Sequence, residues 1–341
     1  MIHLDTALGT HVDALGRVAS AAREAEATGF GVLWTPETKH DPFLPLVLAA
    51  EHTTQIRLGT AVAIAFPRSP MVVANIGWDL AKFSGGRFIL GLGTQVKGHN
   101  ERRFSVPWVP PGPRLRDMVL ALRAIWASWQ NGTRLDFRSA HYSHTLMTPF
   151  FNPGPIEHPD IPIFIGGVNP YMCRLAGEVA DGLLMHSLNS ATYIRDVVLP
   201  AVEQGLRKQG RSRRAFTLRG TVFPVIAETE DELELARAAV RQRIAFYAST
   251  RTYKVVLEAH GWGDLTDRLH AMAARGDWEA MGNEITDEML DAFCVTCTPD
   301  ELGAALRVRF DGLVDHLVLN LTYEPAAKKL NWRRLVQELA A

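Results

Sequence analysis

Arg57-Leu-Gly-Thr-Ala-Val-Ala-Ile-Ala-Phe-Pro-Arg-Ser-Pro70 and, about twenty residues on, Gly86-Arg-Phe-Ile-Leu-Gly-Leu-Gly-Thr-Gln-Val96 decide the fold. Each is a short apolar run that enters a polar, Gly- or Pro-bearing loop, and a helical pattern follows each loop. This is a strand-to-helix unit written twice. In a barrel of such units the loops after the strands gather at one rim and carry the active site, so these two runs mark where chemistry belongs.

Working outward, Ile2 to Leu8 reads as a strand and Val12 to Thr28 as a helix, with Leu15, Val18, Ala22 and Ala25 at helical spacing. Gly29-Phe-Gly31 stops that helix before a second buried strand, Val32 to Trp34. Strand three is Ile56 to Ile64, helix three Met71 to Phe83, strand four Arg87 to Leu92 and helix four Pro113 to Trp129. A hairpin excursion at Asn131 to Phe151 precedes strand five at Pro162 to Ile165 and its helix, Pro170 to Ala180. Strand six is Gly182 to His186, helix six Ala191 to Gln209, and strand seven Phe216 to Ala227. Thr229, ahead of Glu230 and Glu232, caps a helix reaching Tyr247. Residues 250–298 read as a helical insertion, after which Leu313 to Leu321 is strand eight and Trp332 to Leu339 the closing helix. Eight strands alternating with helices predict an α/β (β/α)8 TIM barrel with insertions after strands four and seven, forming a single domain over residues 1–341.

The 341 residues are 47% hydrophobic and 21% charged, with 36 basic and 37 acidic side chains. Near-zero net charge offers no field for a polyanion, so nucleic acid is not an expected partner. No apolar run approaches the roughly 20 residues of a membrane span, and the expectation is a cytoplasmic protein acting on a small molecule. Seven of the 36 basic residues are lysines, leaving 29 arginines, a bias of GC-rich coding that suits an actinobacterial source.

Cys294-Val-Thr-Cys297 has redox or zinc spacing, but no second pair completes a tetrahedral site, and the 12 histidines show no ligand spacing. Three cysteines in all are read as buried or half-buried thiols, and no metal is expected. Gly91-Leu-Gly93 lacks the third glycine of a dinucleotide fingerprint, so it reads as a barrel-rim loop. Ile165-Gly-Gly-Val-Asn-Pro170 is a strand ending in two glycines at a helix start, suited to a phosphate or carboxylate, or simply to a tight turn. Glu37, His40 and Asp41 lie on the loop after strand two, where acid–base groups would face the mouth.

Taken together, Trp34-Thr-Pro-Glu-Thr-Lys-His-Asp41, Leu58-Gly-Thr-Ala-Val62, the Gly86 to His99 run, Ile165 to Pro170 and Leu175-Ala-Gly-Glu-Val-Ala-Asp-Gly182 resemble the luciferase-like monooxygenase superfamily, and within it the coenzyme F420-dependent oxidoreductases. The resemblance spans essentially the whole chain in matching order. It implies a barrel holding a deazaflavin, or alternatively FMN, at the C-terminal rim, with a non-prolyl cis peptide at Ala61-Val62 pressed against the ring. It further implies that Thr94, Gln95 and His99 contact the cofactor and that Gly166, Gly167, Val168 and Asn169 hold its phosphate. The family's acidic and histidine pair falls on Glu37 and Thr38, so His40 stands two residues from the expected imidazole, or the role is absent. His40 is the candidate proton donor, with Glu37 orienting it or hydrogen-bonding the deazaflavin ring. Val96 replaces the acidic residue of the deazaflavin-dependent glucose-6-phosphate dehydrogenases, which argues against that substrate.

These residues imply hydride transfer between F420 and a small organic substrate. An FMN-dependent monooxygenase and a non-catalytic cofactor-binding paralogue are the alternatives. The 250–298 insertion, with Tyr253, Trp262 and Trp278, is expected to fold over the barrel mouth, or else to supply the interface of a homodimer.

Overall fold

The computed structural model describes residues 1–8, 15–322 and 324–341. Eight strands form the barrel: β1 (His3–Ala7), β2 (Val32–Thr35), β3 (Arg57–Thr60), β4 (Phe88–Gly93), β5 (Ile163–Gly167), β6 (Gly182–Met185), β7 (Thr217–Ile226) and β8 (His316–Leu319). Neighbours pair in parallel throughout, and β8 closes the barrel on β1 with Leu4 opposite Leu317. The expected (β/α)8 architecture is the one observed. Both faces of the strands are covered, which is why they read as continuous apolar runs. Val32, Trp34, Ile89, Phe164, Leu184 and Val318 fill the interior, while Leu33, Leu58, Leu90, Ile165 and Leu183 pack outward on the helices.

The helix starts follow their sequence signals. Ser69, Asn169 and Thr229 each accept a hydrogen bond from a backbone N–H in the first turn, at Val72, Met172 and Glu232 respectively. Pro70 and Pro170 open their helices at positions whose N–H would be unpaired anyway. The expected helix from Val12 begins partly outside the described residues; its body, Val18–Thr28, ends at Gly29 with φ 93°.

One strand departs from the sequence reading, and one stretch read as helix is strand. The third was read as one strand from Ile56 to Ile64, but it breaks after Thr60, and Ala63–Ile64 then pairs with β4 alone. Strand seven is longer than its neighbours. Thr217 to Arg219 align with β6, whereas Phe223–Ile226 run past the rim and pair with Cys294–Cys297. The residues at the end of the 250–298 segment are therefore strand, not helix. The protruding end of β7 offered an unpaired edge, and Cys-Val-Thr-Cys suits a half-buried strand.

Candidate active site

At the C-terminal rim the break in β3 brings backbone close to backbone. Ala61 N–H donates to Thr35 O at 2.9 Å, and the Ala61–Val62 peptide is cis, as the resemblance implies. Thr60 Oγ1 donates to Gly91 O at 2.7 Å and accepts from Gly91 N–H at 2.9 Å. A Cβ on Gly91 would lie 1.8 Å from Thr60 O, and one on Gly93 would lie 2.4 Å from a Val62 methyl. Those glycines are thus set by close approach. Ala61 and Val62, both partly exposed, cap the interior cluster and form the floor of the mouth.

Glu37 secures that floor from the side. Its Oε2 accepts from Ile64 N–H at 2.7 Å and from Arg68 Nη1 at 2.8 Å, and its Oε1 accepts from Arg68 Nη2 at 3.1 Å. Arg68 Nη2 also donates to Asp41 Oδ2 at 2.9 Å. Burial opposes the Arg68 charge, yet the bonds to Glu37 and Asp41 hold its pKa above the ordinary value. Both Glu37 oxygens are engaged here, so the expectation that Glu37 orients His40 is corrected. His40 is exposed on the same loop, in none of these bonds.

Thr94 and Gln95 follow β4 directly. Gln95 adopts φ 54°, uncommon for a residue with a side chain, and its Oε1 accepts from Val96 N–H at 2.9 Å. The fully buried Asn100 ties the turn together by donating to Thr94 O and Val96 O, and its own Oδ1 lacks a partner. His99 points outward on the short helix Lys97–Arg102, while Arg103 donates to Thr38 O and joins this loop to the one after β2. After β5, Gly166 and Gly167 are partly exposed; a Cβ on Gly166 would sit 3.4 Å from Val62. Asn169 caps Pro170–Val179, and Val168 O accepts from Tyr193 Oη at 2.8 Å.

Val62 and Gly166 thus meet, with Glu37 beside them, and Thr94, Gln95 and Gly167 stand on the adjoining strand ends, whereas His40, His99 and Asn169 lie on the exposed outer rim. Sequence reasoning missed two participants. Arg68 lay inside the opening stretch, but its partners are distant in sequence. His186 directly follows β6 and was read as the strand's last residue, although a polar residue at that level of a barrel strand is itself a signal. Its ring stacks on Tyr253 at 4.3 Å and meets Tyr247 edge-on at 4.5 Å. Ser190 Oγ lies 2.7 Å from His260 Nε2, a second contact between the loop after β6 and the 250–298 segment. Trp262 stacks on His260 and is half-buried, but Trp278 is exposed at 45% and rests against Phe246.

The three cysteines are free thiols, and burial pushes Cys173 up to about 12 and Cys297 to about 11. A groove of about 740 Å³ lies outside the barrel between helices and is lined by Arg116, Tyr171, Arg174 and Lys208 among others. Chemistry belongs at the strand ends, not in that groove.

The luciferase-like monooxygenase family model matches residues 1–316, which include seven of the eight barrel strands and every rim loop described above. The chain belongs to that family. An uncharacterised protein of Mycobacterium tuberculosis is 49% identical over 310 residues, 91% of each chain. The 5,10-methylenetetrahydromethanopterin reductase of Archaeoglobus fulgidus is 29% identical, covering 89% of each. Among solved structures, the coenzyme F420-dependent tetrahydromethanopterin reductase of Methanopyrus kandleri superposes with a TM-score of 0.77 at 20% identity, over 99% of this chain and 96% of that one. As a luciferase-like protein, the chain has a fold whose members act on small molecules. Among its described residues no helix is long and apolar enough to cross a membrane.

Proposed function

We propose that this protein is an oxidoreductase that transfers hydride between coenzyme F420 and a small organic substrate. One observation carries the reading: the apolar floor of Ala61 and Val62 packs on glycines at 93 and 166, a Cβ on the first of which would collide with Val62, and the β5 loop ends beside it at a helix N-terminus. A flat ring suits that floor, and anionic groups suit the helix start. Ala61 and Val62 would lie under the ring, Thr94, Gln95 and His99 along it, and Gly166, Gly167, Val168 and Asn169 at its phosphate. When bound, the deazaflavin supplies or accepts hydride at its C5 position.

The protein's own part is orientation, exclusion of water and a proton. Glu37 and Arg68 hold the floor in place. His40, on the loop after β2, serves the substrate's proton. The 250–298 segment walls one side of the mouth through Tyr253 and His260. The similarity to F420-dependent reductases favours F420 over FMN, and the family's monooxygenase members favour FMN as the second reading.

Titration of purified protein with F420 and with FMN tests the proposal, F420 binding being expected tighter. Micromolar FMN affinity with no F420 binding overturns it in favour of the monooxygenase reading. Binding without any hydride exchange across a panel of carbonyl compounds and alcohols supports the non-catalytic paralogue.

The same reading includes a homodimer formed through the helices Leu44–Glu51 and Pro70–Phe83. Leu44, Val47, Val72 and Phe83 are 57%, 43%, 49% and 55% exposed on these apolar, adjacent helices, a surface that soluble monomers seldom leave uncovered.

A further inference from the structure

We propose that His186 is the substrate-orienting donor of this mouth, and that the substrate is an uncharged, planar carbonyl compound whose oxygen accepts a hydrogen bond from His186 Nε2. The inference rests on the mouth being the site and extends it by naming what enters.

The tautomer is fixed by the backbone. Leu188 N–H donates to His186 Nδ1 at 3.1 Å, so Nδ1 carries the lone pair and the ring proton sits on Nε2. Among the described residues Nε2 meets no acceptor, and His186 is partly exposed. The rest of the ring is held: Tyr253 stacks on one face at 4.3 Å with 29° between planes, Tyr247 meets it at 88°, and Asn189 Nδ2 donates to His186 O. A second bond from Asn189 Nδ2, to Thr221 O at 3.0 Å, locks the ends of β6 and β7 together. A preorganised N–H donor set among aromatic faces suits a flat molecule with one acceptor oxygen.

Charge decides against an anionic substrate at this end. Burial lowers the His186 pKa to about 4, so the imidazole is neutral at physiological pH. The phenol of Tyr253, pushed up to about 12 by burial, is neutral as well. Across the mouth, Arg68 is engaged by Glu37 and Asp41, and Arg103 donates to Thr38 O. A neutral donor also leaves proton delivery to another group, consistent with His40 in that role.

Acetophenone and α-methylstyrene test the assignment, because the second replaces the carbonyl oxygen of the first by a CH₂ of the same shape. Binding of each to the full-length protein is followed by NMR of ¹³C-histidine label, with wild type, His186→Gln and His186→Phe compared. Wild type is expected to prefer acetophenone by about tenfold, the size of one neutral hydrogen bond, with the His186 ring signals moving. His186→Gln, which keeps an N–H donor, should retain part of that preference. His186→Phe should abolish it while still binding α-methylstyrene, which also reports that the variant is folded. Equal binding of the two probes to wild type, a preference that survives in His186→Phe, or no binding of either overturns the proposal. F420 titration of the same samples separates the two readings: intact selectivity without F420 binding removes the proposed function alone, and F420 binding without selectivity removes the role of His186 alone.

Discussion

Glu37 was legible as a rim residue, but its work differs from the expected one. Its carboxylate meets Arg68 and the Ile64 amide and not His40, so Glu37→Gln is expected to loosen the β3 break. The loss of a half-buried ion pair should cost about 2–3 kcal/mol, seen as a lower urea midpoint, and weaken F420 binding with little change in kcat of the loaded enzyme. His40→Ala makes the opposite pattern: kcat falls by about 10²-fold while F420 affinity is kept. Unchanged turnover of that variant across the pH range would transfer the proton to His99. Acid sensitivity follows from His186. Its folded pKa is depressed to about 4 by burial, so below the unfolded value of about 6.5 the unfolded chain takes a proton that the folded chain refuses. Stability contributed by the neutral ring is complete above that value and declines as pH falls towards 4. Burial lowers His3, His144 and His260 in the same direction. Urea midpoints at pH 7 and pH 5 should therefore separate more in wild type than in His186→Phe.

At the scale of elements, the strand at Cys294–Cys297, paired with the end of β7, is the departure with most consequence. Phe223–Ile226 and Cys294–Cys297 form a short parallel ladder above the rim, and the helices between them are anchored at both ends by this strand pair and by Glu230–Ala248. Val295, 4% exposed, is the residue to break: Val295→Asp buries a charge in the ladder and is expected to destabilise by about 3 kcal/mol or more, with 250–298 exchanging amide hydrogens faster than the barrel. The aromatics of the segment divide by position. Tyr253 faces His186, so Tyr253→Leu should raise KM for substrate, whereas exposed Trp278 touches Phe246 and Trp278→Ala should leave both catalysis and oligomeric state as they are. A fall to half the mass with Trp278→Ala would make this face the interface instead.

For the molecule as a whole, the apolar outer faces of Leu44–Glu51 and Pro70–Phe83 predict association. Val72→Asp combined with Phe83→Glu places charges on that surface without touching the barrel interior, and sedimentation should then report a monomer where wild type reports a dimer. A wild-type monomer at micromolar concentration would remove the proposed interface.

Periodicity and punctuation alone determined the barrel. Each apolar run short enough for a strand, each Gly or Pro after it and the capping Thr229 act within a few residues, so the eight barrel strands, most of the helices and the rim loops were readable along the chain. That Ala61, Val62, Thr94, Gln95, Gly166 and Gly167 stand at strand ends was readable for the same reason, since strand ends in a barrel share one rim. Only the tertiary structure decided what those residues touch. The Glu37–Arg68 pair spans 31 positions, the Ser190–His260 contact 70, and the pairing of Cys294–Cys297 with β7 about as many. Hydrogen-bond partners and ring environments depend on barrel closure and on which edge is left unpaired, quantities set by packing between distant segments and carried by no local pattern.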